Sequence, residues 1–336
     1  MNYPLPQPLR SIAIARNRHT EAAQRHTRQW TIKQGLEHSE HTAHQLDIYL
    51  PGTYAGYMWP QASRNDLFIL SDLTGWFSCQ DDIADEDLSQ DPVALEASLH
   101  EVYRTAFGRG TKPVGALGAG LADIVRRSGK RMPEQWKQRT AEQYASYLFP
   151  CVTAAIHRLQ KTQPGAEEYE SIWRNAGGFQ VCHEFTYFER NVHLPSFLYY
   201  SAAWQEIRLL NLNLLKAVND LLSFSIMENP DEDIYNLLTH LRHSRGYSPD
   251  RAACEVSRRL EEWAERFEHA QLGLPRALDQ LKCDDIVHEQ ALRCAEAFKL
   301  QWHGNIGWHL EAPRYREIRF QPQEGSLNEV PPQYSD

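Results

Sequence analysis

Two groups of oxygen-bearing side chains have the residue types and the spacing of a metal-binding site. The first consists of Asp81, Asp82 and Asp85. If residues 66–82 form a helix, Asp81 and Asp85 lie one turn apart and continue an apolar stripe that ends at Phe77. Carboxylates on a buried stripe are costly unless a cation compensates them, and Mg²⁺ prefers carboxylate and phosphate oxygens. The residues alone leave an acidic, solvent-exposed helix end as an equal alternative.

The second group lies near the end of a long helical pattern and consists of Asn219, Ser223 and Glu228. Asn219 and Ser223 are one helical turn apart, so their carboxamide and hydroxyl oxygens share a face. Together with a carboxylate they would form a second set of oxygen ligands. Taken alone, this group is better explained as a polar seam on a packed helix.

The composition is that of a folded, acidic protein. The chain has 336 residues, of which 42% are hydrophobic and 24% charged, so a packed core is feasible and global disorder is excluded. The formal charge of −9, without a basic block, argues against nucleic acid as a partner. An anionic substrate remains compatible with this charge, because metal ions reverse the local sign. Nine Trp, fifteen Tyr and twelve Phe could fill a core or line an apolar pocket.

The sequence contains no sign of a membrane segment or of an oxidising compartment. No apolar run approaches the roughly 18 residues that a spanning helix needs, and the first residues lack the apolar region of a signal peptide. The six cysteines are scattered without a CxxC pair, so neither a disulfide framework nor a zinc site is predicted. We therefore expect a cytoplasmic protein without a membrane span.

The elements that must position the two groups are helices. Apolar residues recur at intervals of three and four, and alternating strand patterns are nearly absent. We predict one all-α domain over residues 21–321, an irregular, proline-containing arm over 1–20 and a flexible tail over 322–336. Breaks are expected at Pro51-Gly52, Gly177-Gly178 and Gly273 to Pro275. The segments of helical length are 66–82, 133–160, 166–175, 195–227, 249–270 and 279–303.

Together the two groups resemble the DDxxD and NDxxSxxxE motifs of bacterial class I terpene synthases. Arg174 resembles the arginine by which that family senses diphosphate, and Arg314-Tyr315, preceded by Trp308, resembles its C-terminal Arg-Tyr pair. The resemblance covers roughly residues 54–315. It implies a single-domain helical bundle around a central apolar cavity, with both motifs on facing helices at the cavity mouth.

The resemblance also implies an activity. The protein would ionise an allylic isoprenoid diphosphate with Mg²⁺, in three ions by the family's pattern, to give a terpene hydrocarbon or alcohol and diphosphate. Farnesyl diphosphate is favoured, and geranylgeranyl or geranyl diphosphate would be the other chain lengths. The implied metal ligands are Asp81, Asp82, Asp85, Asn219, Ser223 and Glu228. The implied diphosphate ligands are Arg174, Arg314 and Tyr315.

A carbocation needs a dry pocket whose aromatic faces attract it. By the resemblance, Phe77, Trp76 and Trp308 would form walls of this pocket, and Gly178 would present its carbonyl oxygen to the cation. Ordinary core packing is the alternative for the three aromatic residues and is preferred for Trp76. Simple helix termination is the alternative for Gly178.

The second motif departs from the family's pattern at one position. The family's glutamate would fall at Met227, whereas the glutamate of this chain is the next residue, Glu228. On a regular helix Glu228 would point away from Asn219, so we hypothesise a one-residue insertion absorbed by a π-bulge. A lysine that the family often places before this glutamate is missing. Gly177 stands where an acidic or polar residue is frequent.

Two other functions remain open from the sequence. A chain-elongating prenyltransferase shares the fold and the DDxxD chemistry, although Asn219, Ser223 and the Arg-Tyr pair favour a cyclase. A non-catalytic helical binding protein would explain the shifted glutamate. A zinc hydrolase is disfavoured because no HExxH signature occurs among the fifteen histidines. A homodimer is compatible with the family resemblance.

Overall fold

We describe the protein from a computed structural model. The structure describes residues 5–6, 9, 12–84, 88, 90–108, 112–175, 177–224 and 233–315. Within these ranges it contains fifteen α-helices and no strand, which confirms the all-α prediction. The helices are α1 (Thr20–Gln34), α2 (Glu40–Tyr49), α3 (Pro51–Met58), α4 (Arg64–Asp82), α5 (Pro92–Phe107), α6 (Ala116–Ser128), α7 (Glu134–Leu148), α8 (Pro150–Gln160), α9 (Ala166–Trp173), α10 (Phe179–Arg190), α11 (Ser196–Tyr199), α12 (Ala202–Ser223), α13 (Leu237–Arg245), α14 (Pro249–Gln280) and α15 (Asp285–Glu311).

Local chemistry explains several helix ends. Ser63, Ser201 and Ser248 precede α4, α12 and α14, and each side chain accepts a hydrogen bond from a backbone N–H of the first turn. Such caps stabilise a helix by about 1 kcal/mol, because they satisfy a donor that the helix leaves unpaired. Helix α1 begins at Thr20, where the irregular arm was expected to end. The predicted tail 322–336 lies outside the described residues.

Two predicted segments are each divided into two helices. The 133–160 segment splits where Pro150 starts α8, because proline has no N–H to continue the α7 hydrogen-bond ladder. The 195–227 segment splits into the short α11 and the long α12, whose N-cap is Ser201. Of this segment, the residues after 224 lie outside the described part of the chain.

The break predicted at Gly273 to Pro275 is wrong, because α14 continues through Pro275 to Gln280. Proline removes one hydrogen bond inside the helix, at a cost of ~3 kcal/mol. Leu274 and Leu278, on either side of the proline, are 1% and 0% exposed. Their burial, about 1.5–3 kcal/mol for each side chain, offsets that cost and keeps the helix continuous.

Helix α12 lies at the centre of the bundle and packs against α10, α13, α14 and α15. The start of the helix is fixed where the indole N–H of Trp204 donates to the Tyr187 hydroxyl at 2.8 Å. A buried ion pair lies near this end, where Arg139 Nε donates to Glu184 at 3.3 Å. The C-terminal end of α12 carries Asn219 and Ser223, so the central helix of the bundle presents the second motif.

None of the described helices is long and apolar enough to cross a membrane.

Candidate active site

The first acidic motif lies where α4 ends. The apolar stripe of this helix is buried as far as Phe77, which is 6% exposed, and reaches solvent at Asp81. The helix closes in a π-turn at residues 83–84, and the Leu88 N–H donates to the Ile83 carbonyl at 2.9 Å. The π-turn therefore lies at the first motif. Asp85 lies outside the described residues.

The Asp81 carboxylate is held by a tyrosine from another helix. The Tyr147 hydroxyl of α7 bonds to Asp81 Oδ1 at 2.7 Å and also to the Gln80 carboxamide. The Tyr147 ring also packs edge-on against Phe77, with ring centroids 5.2 Å apart. One buried side chain therefore positions both a proposed metal ligand and a proposed pocket wall.

The C-terminal Arg-Tyr pair meets the first motif in space. Desolvation lowers the pKa of Arg314, but the negative charges of Tyr315, Tyr49, Asp81 and Asp82 act in the opposite direction and raise it overall. Burial raises the pKa of the Tyr49 phenol, and the Asp81 carboxylate adds to this shift. The guanidinium of Arg314 therefore lies in the electrostatic field of both carboxylates, at the rim of the bundle.

Aromatic rings form a continuous group beside this rim. Trp308 lies 4.8 Å from the Tyr49 ring, 4.4 Å from the Tyr54 ring and 5.2 Å from the Tyr315 ring. Its indole N–H donates to the Tyr49 carbonyl at 2.7 Å, which fixes the orientation of the ring. Trp308 is thus placed next to the Arg-Tyr pair, as the predicted pocket wall requires.

Trp76 occupies a layer behind Phe77. It is fully buried, and its indole N–H donates to the Leu117 carbonyl of α6 at 2.9 Å. Its ring contacts Phe77 and Tyr144 at 5.8 Å each. These contacts are those of a core residue that supports Phe77, and the role of Trp76 as a pocket wall stays a prediction.

The second motif is oriented by His309, which directly follows Trp308. His309 Nδ1 lies 2.7 Å from the Asn305 carbonyl, an acceptor, so Nδ1 carries the proton and Nε2 is an acceptor. Asn219 Nδ2 lies 3.3 Å from Nε2 and is therefore the donor. The carboxamide oxygen of Asn219 then points away from His309, as a metal ligand would need. The Ser223 hydroxyl contacts the Asp220 carbonyl at 3.5 Å.

The proposed insertion in this motif cannot be located here, because Glu228 and the hypothesised π-bulge lie outside the described residues.

The aspartate between Asn219 and Ser223 has other partners. Asp220 is fully buried, and its Oδ2 accepts from the Trp173 indole N–H at 2.7 Å and from the Leu237 N–H at 2.9 Å. Its Oδ1 accepts from Lys216. Asp220 therefore anchors the motif within the protein.

Arg174 lies at the end of α9 and contacts α12. Its Nε donates to Asn213 Oδ1 at 3.2 Å, and its terminal nitrogen donates to the Glu170 carbonyl at 3.4 Å. The chain then breaks at Gly178, where φ is +66°, a conformation that glycine adopts without strain. A Cβ at Gly178 would lie 3.1 Å from the Phe77 ring. The predicted helix break is thereby confirmed, and its glycine faces Phe77.

The donor set fits a hard cation such as Mg²⁺. Asp81, Asp82, Asn219 and Ser223 offer carboxylate, carboxamide and hydroxyl oxygens, and no thiolate or imidazole ligand is needed. Among the described residues, no cluster of three or more His, Cys, Asp or Glu side chains could hold a metal by itself. One carboxylate of each motif, Asp85 in the first and Glu228 in the second, lies outside the described residues. The other two candidate ligands of the second motif, Asn219 and Ser223, are not His, Cys, Asp or Glu.

Sequence reasoning missed three residues that shape the site. Tyr147 and His309 contact site residues that are far away in sequence, whereas Lys216 contacts Asp220 one turn along the same helix. His309 had one available signal, since it follows Trp308 and lies one turn after Asn305. The histidines considered for zinc behave as expected: His38, His41, His44 and His243 are exposed. His240 instead stacks on Tyr169 at 3.6 Å.

Comparison with known proteins agrees with this geometry. The profile described as "Terpene synthase family 2, C-terminal metal binding" matches residues 72–266. The chain is 29% identical over 269 residues to (-)-delta-cadinene synthase of Streptomyces clavuligerus, covering 79% of this chain and 81% of that protein. It is 25% identical to pentalenene synthase of Streptomyces arenae, covering 85% of each.

Solved structures agree at the level of the fold. A hedycaryol synthase in complex with HEPES superposes with a TM-score of 0.80 at 19% identity, covering 93% of this chain and 100% of that chain. Germacradien-4-ol synthase of Streptomyces citricolor superposes with a TM-score of 0.78 at 22% identity, covering 92% and 98%. The family match favours a cyclase over an elongating prenyltransferase and indicates that the protein binds metal. The chain belongs to terpene synthase family 2 and is a bacterial class I terpene synthase.

Proposed function

We propose that this terpene synthase converts farnesyl diphosphate, a C15 allylic diphosphate, into a sesquiterpene hydrocarbon or alcohol with three Mg²⁺ ions. The similar proteins named above are sesquiterpene synthases, which supports the C15 chain length. The observation that carries the proposal is the convergence of Arg314 and Tyr315 with Asp81 and Asp82 beside Trp308. Cationic, acidic and aromatic groups at one rim suit a substrate with a charged head and an apolar chain.

The metal ions would be held by Asp81, Asp82 and Asp85 on one side and by Asn219, Ser223 and Glu228 on the other. When bound, they would act as Lewis acids that stabilise the departing diphosphate. Metal binding also explains how an acidic protein with two carboxylates at the rim attracts an anion.

The protein's own donors would hold the diphosphate. Arg174 and Arg314 would donate charge-assisted hydrogen bonds to its oxygens, and Tyr315 would add a neutral one. Because Arg174 is held by Asn213 and the Glu170 carbonyl before the bond breaks, it would stabilise the charge that develops on the leaving group.

The apolar chain would be enclosed by aromatic rings. Phe77 and Trp308 would exclude water and present ring faces to the carbocation. The backbone carbonyl of Gly178, next to the Phe77 ring, would add a partial negative charge. Trp76 would hold Phe77 in place from behind.

Gas chromatography–mass spectrometry of products tests the proposal. The enzyme would be incubated with geranyl, farnesyl and geranylgeranyl diphosphates, each with Mg²⁺. We expect the C15 substrate alone to give a terpene with release of diphosphate. A product only from the C10 or C20 substrate would refute the chain length. A longer diphosphate formed only after addition of isopentenyl diphosphate would instead identify an elongating prenyltransferase.

We also expect residues 322–336 to be dispensable for this activity and the protein to form a homodimer. Truncation after residue 321 tests the first expectation, and sedimentation velocity tests the second.

A further inference from the structure

One face of α12 carries three polar residues at helical spacing that all meet the region around Arg174. Asn213, Lys216 and Asp220 are 6%, 5% and 0% exposed, and they share one face of the helix. We call them the α12 polar stripe. Asn213 and Ser223 lie on the same helix, so the stripe and the second motif belong to one rigid element.

Each residue of the stripe contacts a different residue at the end of α9 or just after it. Asn213 accepts from Arg174 at 3.2 Å, and Asp220 accepts from Trp173 at 2.7 Å. A Cβ at Gly177 would lie 3.4 Å from Lys216 Cδ, so the lysine stem packs against that glycine. The segment that carries Arg174 is thus attached along two turns of α12.

The central contact of the stripe is a buried ion pair. Lys216 donates to Asp220 one turn further along the helix, and it also donates to the Tyr235 carbonyl at 3.1 Å. Asp220 in turn accepts from the Leu237 N–H at 2.9 Å. Burying two charges costs several kcal/mol for each ion before they attract each other, so packing alone would be better served by apolar residues. The ion pair, however, fixes the relative positions of the groups that it joins, which apolar residues would not do.

We propose that the α12 polar stripe couples diphosphate binding at Arg174 to metal binding at Asn219 and Ser223. Asp220 lies between these two ligands in the chain and bonds to Trp173, the residue before Arg174. A movement of Arg174, or of the helical turn that carries Asn219 and Ser223, therefore strains the same hydrogen bond between Trp173 and Asp220. Coupling of this kind is reciprocal, and typical values change an affinity 5- to 150-fold. The inference rests on the proposed function and assigns Trp173, Lys216 and Asp220 as positioning residues.

Calorimetry with inorganic diphosphate tests the coupling without turnover. The coupling factor is the Kd of diphosphate in EDTA divided by its Kd in saturating MgCl₂. Formation of the magnesium complex in solution is the same for every variant and cancels when variants are compared. Trp173→Phe keeps an aromatic ring but removes the N–H that bonds to Asp220. Trp204→Phe is the matched control, because it removes a buried indole N–H bond of similar length at the other end of α12.

We expect Trp173→Phe to lower the coupling factor about tenfold, as loss of a hydrogen bond to a charged group would. Its Kd in EDTA should stay within about twofold of the wild type, and the control should keep the full coupling factor. Lys216→Met, which keeps the stem but removes the charge, should act in the same direction. If Lys216→Met does not fold, Trp173→Phe decides alone.

Hydrogen exchange gives an independent readout. Addition of diphosphate and MgCl₂ to the wild type should protect the amides of α9, and Trp173→Phe should lose this protection while the control keeps it. An unchanged coupling factor and unchanged protection in folded Trp173→Phe would overturn the inference. If the wild type binds diphosphate without any dependence on Mg²⁺ and forms no terpene, the proposed function itself fails.

Discussion

Substitution of Gly178 by alanine tests whether the helix break after Arg174 controls the pocket. The backbone φ of Gly178 is +66°, and an added Cβ would lie 3.1 and 3.2 Å from two carbons of the Phe77 ring. Alanine in the left-handed region costs about 1 kcal/mol, which is about a fivefold change in the unfolding equilibrium. The close contact requires in addition that the Phe77 ring move by a few tenths of an ångström.

The consequence for catalysis follows from the neighbours of Phe77. Its ring packs against Tyr147, whose hydroxyl bonds to Asp81, so a displaced ring would disturb both the proposed pocket wall and a proposed metal ligand. Since misplacement of reacting groups by about 1 Å can cost 10²-fold, a shift of a few tenths should lower kcat/KM about tenfold. The product mixture should change as well, because the wall against which the cation folds has moved.

Gly246→Ala provides a matched control. Gly246 has φ +65°, and no atom lies within 4 Å of its ideal Cβ, so the substitution carries the backbone cost without a steric contact. Thermal unfolding should show a similar loss of stability from backbone strain in both variants, with a further loss in Gly178→Ala. Steady-state kinetics and product profiles should change in Gly178→Ala alone. If Gly178→Ala retains wild-type kcat/KM and products, the contact with Phe77 does not shape the pocket.

Three further predictions concern the metal site and the core. Tyr147→Phe should raise the Mg²⁺ concentration for half-maximal activity about 10- to 100-fold, because it removes the hydrogen bond to Asp81; an unchanged Mg²⁺ titration would contradict this role. EDTA should abolish turnover and Mg²⁺ should restore it, whereas activity that survives chelation would rule out the proposed metal chemistry. Burial and nearby Arg208 lower the pKa of His183 to about 3. Between about pH 6.5 and pH 3 the His183 imidazole is therefore neutral in the folded protein but protonated in the unfolded chain. Titration of His183 should therefore lower the free energy of unfolding by about 2 kcal/mol between pH 7 and pH 5 relative to His183→Gln, as measured by urea denaturation of both proteins; equal pH slopes would refute the assignment.

The sequence by itself determined the helical class and the chemistry of the donors. Intervals of three and four between apolar residues require helices, because only a helix brings such positions onto one face. The types of Asp81, Asp82, Asn219 and Ser223 limit the preferred cation to a hard one wherever they lie. The break at Gly178 was also local, since it depends on a backbone conformation that glycine tolerates.

Tertiary structure decided how those groups are held. Tyr147 bonds to Asp81 from another helix, and the indole N–H of Trp173 donates to Asp220. No local sequence spacing encodes these two contacts. The same reason explains the wrong break at Pro275, where burial of Leu274 and Leu278 outweighs the local preference of proline. Local rules fix which conformations a segment tolerates, whereas the partners that remove a side chain from water come from distant parts of the chain and select among them.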